Sequence, residues 1–236
     1  MIKAVFFDLD GTLLPMNEEE FIKVYFISLY KKVSHLGYEQ DKLIKTIWDG
    51  TEAMYKNDGS CTNEEAFWNL FVKYYDKEHL KDKEIFDSFY TNEFKNTKAV
   101  CKDNPLAKEI IDFCNKNLEY TILSTNPIFP YAGTLTRMSF VGLSENDFNF
   151  ITAYENSSYC KPNPKYFEFL LNKFNLKADE VILFGNNTIE DAYCSAQVGI
   201  KTYLIDGYII DKKGLLNQFE LIQMEDIIPT IKKHLI

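Results

Sequence analysis

The sequence predicts an α/β protein with a parallel-sheet, Rossmann-like core that is interrupted by an all-helical block. Residues 2–8 form a short and almost continuous apolar run, which is typical of a buried parallel strand. Residues 17–96 follow a helical pattern throughout, and from about residue 100 strand and helix patterns alternate. We therefore predict a core made of residues 1–15 and 97–236, and a four-helix bundle over residues 16–96 that is inserted into it.

The helical block divides into four amphipathic helices with short connections. Asn17 is followed by three glutamates, which is typical of a helix start, and Gly37 supplies a stop. Thr62 and Glu65 form a capping-box pattern that predicts the start of the third helix. The second and fourth helices are predicted over residues 39–56 and 82–95.

The remainder of the chain alternates between the two kinds of element. The predicted strands cover residues 119–125, 148–153, 181–186, 201–205 and 219–222. The predicted helices cover residues 105–117, 128–140, 163–175, 188–198 and 225–235. Such alternation implies crossover connections and a parallel sheet with helices on both faces.

Composition excludes several classes of protein. Hydrophobic residues make up 46% and charged residues 26% of the chain, as in an ordinary globular protein. The net charge of −9 disfavours non-specific nucleic-acid binding, and no apolar run is long enough to predict a membrane span. The five cysteines form no Cys-x-x-Cys pair and the N-terminus has no signal-peptide pattern, so we expect a cytoplasmic protein.

Arg137 is the only arginine in the chain. A bidentate guanidinium clamp on a phosphate could therefore come from that residue alone. We expect lysine, hydroxyl groups and backbone amides to provide most of any anion binding.

Asp8 and Asp10 interrupt the apolar first strand at its carboxyl end. Residues two apart in an extended segment share a face, and open α/β sheets bind ligands at this edge. Gly11 allows the chain to turn sharply just after the pair. Two acids in a surface turn would be the simplest explanation, but charges inside an apolar strand favour a functional one. One carboxylate could attack an electrophile while the other transfers a proton.

The string Asp8-x-Asp10-Gly-Thr12 resembles the first motif of the haloacid dehalogenase superfamily, in its phosphatase branch. Three later segments are similar to the remaining motifs of that family, in the family's order. Residues 122–126 end in Thr125 and Asn126 like the second motif, Lys161 before a proline is similar to the third, and residues 185–191 are similar to the fourth.

This resemblance implies a Mg²⁺-dependent phosphohydrolase that acts on a small phosphorylated metabolite through an aspartyl-phosphate. Asp8 would be the nucleophile and Asp10 the general acid and base. The helical block would be a cap domain that acts as a lid. The implied phosphate-binding residues are Thr12, Thr125, Asn126 and Lys161. The implied metal ligands are Asp8, the backbone carbonyl of Asp10, Asn186 and, through water, Asp191 or Glu190.

The sequence departs from the family pattern at Asn186, where an aspartate normally ligates magnesium. An asparagine can supply an oxygen ligand but no charge. Three interpretations stay open: a working enzyme with weaker metal binding, compensation by Glu190, or a site that binds phosphate without turnover.

Other activities of the same superfamily compete with a phosphatase. Asp10 disfavours a haloacid dehalogenase, which needs no second acid, and a phosphonatase, which has a small residue there. A phosphomutase and a non-catalytic phosphate-binding or regulatory protein stay open. No pattern in the chain predicts the substrate or the oligomeric state.

Overall fold

A computed structural model describes residues 1–235 and contains six parallel strands in a single sheet. The strands are β1 (Ala4–Phe7), β2 (Tyr120–Leu123), β3 (Phe150–Ile151), β4 (Val181–Gly185), β5 (Lys201–Ile205) and β6 (Glu220–Ile222). Their order in the sheet is β3-β2-β1-β4-β5-β6, so β1 lies in the centre. The predicted α/β class with a parallel sheet is confirmed.

Nine α-helices surround the sheet within the described part of the chain. They are α1 (Glu18–Val33), α2 (Gln40–Tyr55), α3 (Asn63–Tyr75), α4 (Lys83–Thr91), α5 (Leu106–Asn117), α6 (Tyr131–Ser139), α7 (Lys165–Lys173), α8 (Cys194–Ala196) and α9 (Ile227–His234). The first four lie in the block that the sequence predicts to be helical. None of the helices in residues 1–235 has the length and apolarity needed to cross a membrane.

The caps of the first and third helices follow the predicted chemistry. Asn17 Oδ1 accepts a hydrogen bond from the Glu20 amide at 3.1 Å, which satisfies a donor in the first turn of α1. At α3, the Thr62 amide donates to Glu65 Oε2 at 2.8 Å and the Glu65 amide donates to Thr62 Oγ1 at 3.2 Å. The predicted capping box is confirmed.

The fourth helix is shorter than the predicted range of residues 82–95. It ends at Thr91 and is followed by a 3₁₀ segment over Glu93–Val100. Asn92 Nδ2 donates to the Ser88 carbonyl at 2.7 Å. This side-chain bond competes with the backbone bond that would continue the helix.

Residues of β1 alternate between two hydrophobic clusters on opposite faces of the sheet. Ala4 and Phe6 pack with α7, whereas Val5 and Phe7 belong to a larger cluster. That larger cluster continues into the helical block through residues such as Phe21 of α1. The division of the chain into a core and a cap domain stays a prediction, and the hydrophobic interior is continuous across the proposed boundary.

Candidate active site

The carboxyl ends of the central strands border a cavity of about 630 Å³. The registers pair Phe7 with Leu123 and with Phe184, so β1, β2 and β4 end at the same edge of the sheet. The predicted site residues that line this cavity are Asp8, Asp10, Thr125, Asn126, Lys161, Asn186, Glu190 and Asp191. We call it the sheet-edge cavity.

Lys161 joins two carboxylates at the floor of the sheet-edge cavity. Its Nζ lies 2.8 Å from Asp8 Oδ1 and 2.6 Å from Asp191 Oδ1, and its side chain is 1% exposed. Burial alone would lower the pKa of Lys161, but Asp191 and Asp8 raise it well above the usual range. Burial is also the largest influence on Asp8, and it raises the pKa of that carboxyl to about 8 against the opposing effect of Lys161. The ammonium group thus stays charged beside the candidate nucleophile.

Asp191 has both carboxylate oxygens occupied. Besides the ion pair of Oδ1 with Lys161, Oδ2 accepts hydrogen bonds from the amides of Asn186 and Asn187, each at 3.0 Å. A Cβ at position 185 would lie 2.4 Å from the Asp191 carboxyl carbon, so the site requires glycine there. The geometry makes Asp191 a group that positions Lys161, and a contribution to metal binding would have to pass through water.

The segment after β4 differs from the helix predicted over residues 188–198. Thr188–Tyr193 is a π-helical turn, and the α-helix that follows spans only Cys194–Ala196. Asn187 Oδ1 accepts from the amides of Ile189 and Glu190 at 3.0 and 3.1 Å and so closes the first turn. Wide turns of this kind are frequent at functional sites. Glu190 and Asp191 consequently contact different partners although they are neighbours.

Asn186 has its amide group fixed by the backbone. Its Nδ2 donates to the Tyr208 carbonyl at 2.7 Å, and Oδ1 makes no hydrogen bond within residues 1–235. Gly11 has a φ of +80°, and a Cβ there would lie 2.0 Å from Asn186 Nδ2. Gly11 therefore serves both the turn after Asp10 and the close approach of the Asn186 side chain.

Glu190 faces the helical block. Its Oε1 accepts from the Tyr55 hydroxyl at 3.1 Å and its Oε2 accepts from Asn126 Nδ2 at 2.9 Å. Burial raises the pKa of Glu190. Because both oxygens are engaged, the structure gives no support to compensation by Glu190 at the metal position.

Sequence reasoning did not identify Tyr55, which ends α2 and connects the helical block to the sheet edge. Its hydroxyl also accepts from Asn126 Nδ2 at 3.1 Å. That Asn126 nitrogen further donates to the Lys161 carbonyl at 3.1 Å. Tyr55 lies 71 positions from Asn126 in the chain, and no local pattern signals the contact.

Arg137, the only residue that could have supplied a guanidinium clamp, pairs with Asp10 instead. It is fully buried and forms an ion pair with Asp10 Oδ2, while its guanidinium carbon lies 4.3 Å from the centre of the Phe129 ring. Arg137 Nη2 donates to Thr134 Oγ1 at 3.2 Å. The only arginine does not line the sheet-edge cavity, so it positions Asp10 instead of clamping phosphate. The other oxygen of Asp10, Oδ1, is buried without a donor in the described structure.

The two threonines with a predicted phosphate role occupy different environments. Thr125 lines the cavity, and its carbonyl accepts from Thr152 Oγ1 at 2.7 Å and from the Tyr166 hydroxyl at 2.9 Å. Thr12 is 1% exposed, does not line the cavity, and has a hydroxyl without a partner among the described residues. Thr12 is thus buried outside the lining of the sheet-edge cavity, and a phosphate-binding role for its side chain stays a prediction.

The loops beside Asp8 offer groups for both an anion and a cation. The backbone amides of Leu9 and Asn126 donate to no acceptor within residues 1–235, which leaves them available to phosphoryl oxygens. Asp8 Oδ2 and Asn186 Oδ1 likewise make no hydrogen bond there, and Asp10 Oδ1 is an unpaired acceptor. Hard oxygen ligands of this kind suit Mg²⁺.

The same donor set carries little charge. No group of three or more His, Cys, Asp or Glu side chains in the described chain is arranged to hold a metal ion. A cation at Asp8 and Asn186 would thus depend on backbone, water or substrate oxygens for its remaining ligands. The residues present fit a weakly binding magnesium site.

Comparisons with known proteins find similar sequences and structures over almost the whole chain. Pyrophosphatase PpaX of Halalkalibacterium halodurans is 23% identical over 219 residues, which is 93% of this chain and 90% of that protein. A putative beta-phosphoglucomutase from Thermotoga maritima is 21% identical with a TM-score of 0.58, over 98% of this chain and 99% of that one. A 2-haloacid dehalogenase from Pseudomonas syringae pv. Tomato DC3000 is 16% identical with a TM-score of 0.63, over 99% of each chain.

The solved structures establish a shared fold, and they come from proteins described by different reactions. The family model for haloacid dehalogenase-like hydrolases matches residues 5–205, which include the Asp8 and Asp10 loop, Lys161 and the turn after β4. The predicted family is confirmed by that match. This chain belongs to the haloacid dehalogenase-like hydrolases.

Proposed function

We propose that this protein is a Mg²⁺-dependent phosphatase that hydrolyses a small phosphate monoester through an aspartyl-phosphate on Asp8. The observation that carries the proposal is the buried ion-paired cluster below the cavity, in which Lys161 holds Asp8 at 2.8 Å and Asp191 at 2.6 Å. A cation beside a buried carboxylate allows that carboxylate to approach an anionic phosphoryl group. We call Asp8, Lys161, Asn186 and Asp191 the sheet-edge cluster.

The proposed cycle has two displacements at phosphorus. In the first, Asp8 Oδ2 forms a bond to phosphorus, the bond between phosphorus and the ester oxygen breaks, and Asp10 gives that oxygen a proton. In the second, Asp10 takes a proton from a water molecule whose oxygen bonds to phosphorus, and the bond to Asp8 breaks. The products are the alcohol and inorganic phosphate, and both carboxyl groups return to their starting states.

Asp10 has to leave Arg137 in order to reach the ester oxygen. In the structure Asp10 Oδ2 is paired with the buried guanidinium, and Oδ1 has no donor among the described residues. In this proposal the pair is a resting position of the Asp10 carboxylate, which takes up a proton from solvent when it leaves the guanidinium and so enters the cycle as the acid. Rotation about the side-chain bonds of Asp10 would bring it towards the cavity that it already lines.

The phosphoryl oxygens would be held by the Thr125 hydroxyl, the Asn126 amide and Lys161, which all lie on the cavity wall. Haloacid dehalogenase-like hydrolases generally use Mg²⁺. In this chain the residues that would hold the ion are Asp8, the Asp10 carbonyl and Asn186, with Asp191 acting through water. Bound there, Mg²⁺ would neutralise phosphoryl charge.

The helical block would act as a lid. Tyr55 of α2 reaches Glu190 and Asn126, so the block is tied to the sheet edge by hydrogen bonds of about 3.1 Å. Closure over the cavity would exclude water during the first displacement. It would also place residues of the block against the alcohol part of the substrate.

A non-catalytic phosphate-binding protein is the second candidate, and Asn186 is the observation that favours it. The amide nitrogen of Asn186 is bonded to the Tyr208 carbonyl, and no carboxylate replaces the missing charge. A phosphomutase has no such specific support in the cavity. Asp10 continues to disfavour a dehalogenase, because that reaction needs no second acid.

Hydrolysis of p-nitrophenyl phosphate with and without Mg²⁺ tests the proposal. We expect metal-dependent turnover that falls on the order of 10⁴-fold or more in Asp8→Asn, with unchanged circular dichroism. Asp112→Asn is the matched control, because Asp112 is an exposed residue of α5 far from the cavity. Absence of metal-dependent turnover in the wild type and in Asn186→Asp would favour the binding protein over the enzyme.

A further inference from the structure

The wall of the sheet-edge cavity opposite Asp8 is built from apolar and aromatic side chains. α1 contributes Ile22, Tyr25 and Phe26, and α2 contributes Ile47 and Trp48. We call these five residues the helical wall. Phe26 and Trp48 connect the two helices, with ring centres 5.6 Å apart. Any leaving group attached to a phosphate at Asp8 would extend towards this surface.

The charged residues that the helical block contributes to the cavity are all acidic. They are Glu18, Glu19 and Asp87. The lysines around the cavity are Lys161, which already pairs with two carboxylates, and Lys212, which comes from a loop of the core. A second phosphate on the substrate would thus lie in an apolar region without a cation from the block, and desolvation of its charge would oppose binding.

The polar groups of the helical wall stay neutral. The Tyr25 hydroxyl lies 3.1 Å from that of Tyr90, and burial raises the pKa of Tyr25 to about 12. Neutral phenols of this kind can hydrogen-bond an uncharged polar atom, and their rings can pack against another ring. The volume of about 630 Å³ lies within the range of pockets that bury whole small-molecule ligands.

We propose that the preferred substrates are monophosphate esters of uncharged aromatic alcohols, whose ring packs against the helical wall. This inference rests on the proposed phosphatase activity and narrows it. Bisphosphates and pyrophosphate are expected to be poor substrates, because the helical block contributes Glu18, Glu19 and Asp87 to the cavity and no lysine or arginine.

Matched substrate pairs separate binding to the wall from leaving-group chemistry. 1-Naphthyl phosphate and phenyl phosphate have similar leaving groups and differ in apolar area, whereas benzyl phosphate and glucose 6-phosphate are both primary alkyl esters. We expect kcat/KM to be about tenfold higher for the first member of each pair, which corresponds to roughly 1.4 kcal/mol. Fructose 1,6-bisphosphate and pyrophosphate should be slower than benzyl phosphate. A higher kcat/KM for glucose 6-phosphate, fructose 1,6-bisphosphate or pyrophosphate than for benzyl phosphate would overturn the inference. The proposed phosphatase activity would still stand.

Two variants show whether the wall causes the preference. Trp48→Ala should lower the ratio of kcat/KM for 1-naphthyl phosphate over phenyl phosphate about fivefold, because naphthyl loses a packing surface. Ile27→Ala is the matched control, since Ile27 is on α1 but is 67% exposed and lies outside the cavity. An unchanged ratio in Trp48→Ala would contradict the proposal.

Binding of phosphonates, which are not hydrolysed, tests the preference for aromatic ligands separately from the phosphatase activity. The only tryptophans, Trp48 and Trp68, both line the cavity, so their fluorescence reports its occupancy. We expect phenylphosphonate to change this fluorescence at about tenfold lower concentration than methylphosphonate. If phenylphosphonate is preferred but no phosphate ester is hydrolysed, the proposed function fails and the preference for aromatic ligands stands. Equal affinity for the two phosphonates would contradict the proposed preference for aromatic ligands.

Discussion

The two sides of the sheet-edge cavity are built on opposite principles. In the sheet-edge cluster, Lys161 bridges two carboxylates and both oxygens of Asp191 are occupied, so few polar atoms are free to move. The helical wall has large apolar surfaces, and the Tyr25 hydroxyl in it is bonded to that of Tyr90 at 3.1 Å. Directional bonds fix the first side, and non-directional packing shapes the second. Substitutions in the sheet-edge cluster should therefore lower the free energy of unfolding more than substitutions in the helical wall.

Lys161→Met is expected to have the largest effect, because it leaves Asp8 and Asp191 buried together without a cation. We expect a loss of about 3–5 kcal/mol in the free energy of unfolding, measured by urea denaturation. The loss should be greater at pH 9 than at pH 6, since the carboxylates without Lys161 resist ionisation in the folded state.

The control for this prediction is Lys56→Met, which removes an exposed ion pair with Glu52. It should cost less than about 1 kcal/mol. If both lysine variants lose the same free energy, the sheet-edge cluster has no special energetic weight, and the contrast between the two sides fails.

Asn186→Asp should have an intermediate effect whose sign depends on the metal. Without Mg²⁺, a carboxylate oxygen would replace the amide that donates to the Tyr208 carbonyl at 2.7 Å, and we expect a loss of about 1–3 kcal/mol. With Mg²⁺, the added charge should strengthen binding about tenfold and recover stability. Thermal unfolding with and without Mg²⁺ tests both parts, with the exposed Asn172→Asp on α7 as control. Equal loss in both conditions would argue against a cation beside position 186.

The pH dependence of turnover should respond to Mg²⁺ through Asp8. Burial raises the pKa of this carboxyl to about 8 in the metal-free protein, and a nearby cation favours the carboxylate form. Because the carboxylate is the reactive form, kcat/KM should rise with pH through this pKa. Saturating Mg²⁺ should move the rise to lower pH by about one unit, or roughly 1.4 kcal/mol. Profiles recorded at low and saturating Mg²⁺ check this, and a midpoint that stays fixed or moves upward would contradict the assignment.

Tyr55→Phe is expected to have the smallest effect, since it removes one hydroxyl where the wall side meets the cluster side. The lost bonds to Glu190 and Asn126 are 3.1 Å long, and we expect a loss of about 0.5–1.5 kcal/mol in unfolding free energy. If the contact contributes to closure of the block, KM should rise more than kcat falls. Tyr131→Phe removes a hydroxyl bond to the exposed Glu145 and should change neither quantity. A larger stability loss in Tyr131→Phe than in Tyr55→Phe would show that the bridge contributes little.

The sequence predicts the fold well because its signals are local. The apolar run of β1, the capping box at Thr62 and Glu65, and the alternation after residue 100 are each read within a few residues. The same logic places Asp8 and Asp10 at the edge of the sheet where parallel strands end together. The assignments of Lys161 and Asn186 came from the family resemblance.

Local sequence patterns did not predict contacts between side chains that are far apart in the chain. Arg137 lies 127 positions from Asp10, and Tyr55 lies 135 positions from Glu190. The wide turn at Thr188–Tyr193 and the buried position of Thr12 depend equally on neighbours supplied by the rest of the fold. Side-chain pairing across the tertiary structure follows no local periodicity, so these features become visible only in three dimensions.

The hydrophobic interior that continues from β1 into the helical block also limits how this protein can evolve. Phe21, Tyr25 and Phe86 line the cavity and are members of the same buried cluster as Phe7. A mutation that reshapes the cavity at these positions also removes packing that keeps the chain folded. Half-exposed Trp48, at 47%, is free of much of that constraint. New specificities are thus expected to arise first at the rim of the cavity, and deeper changes should require compensating mutations in the core.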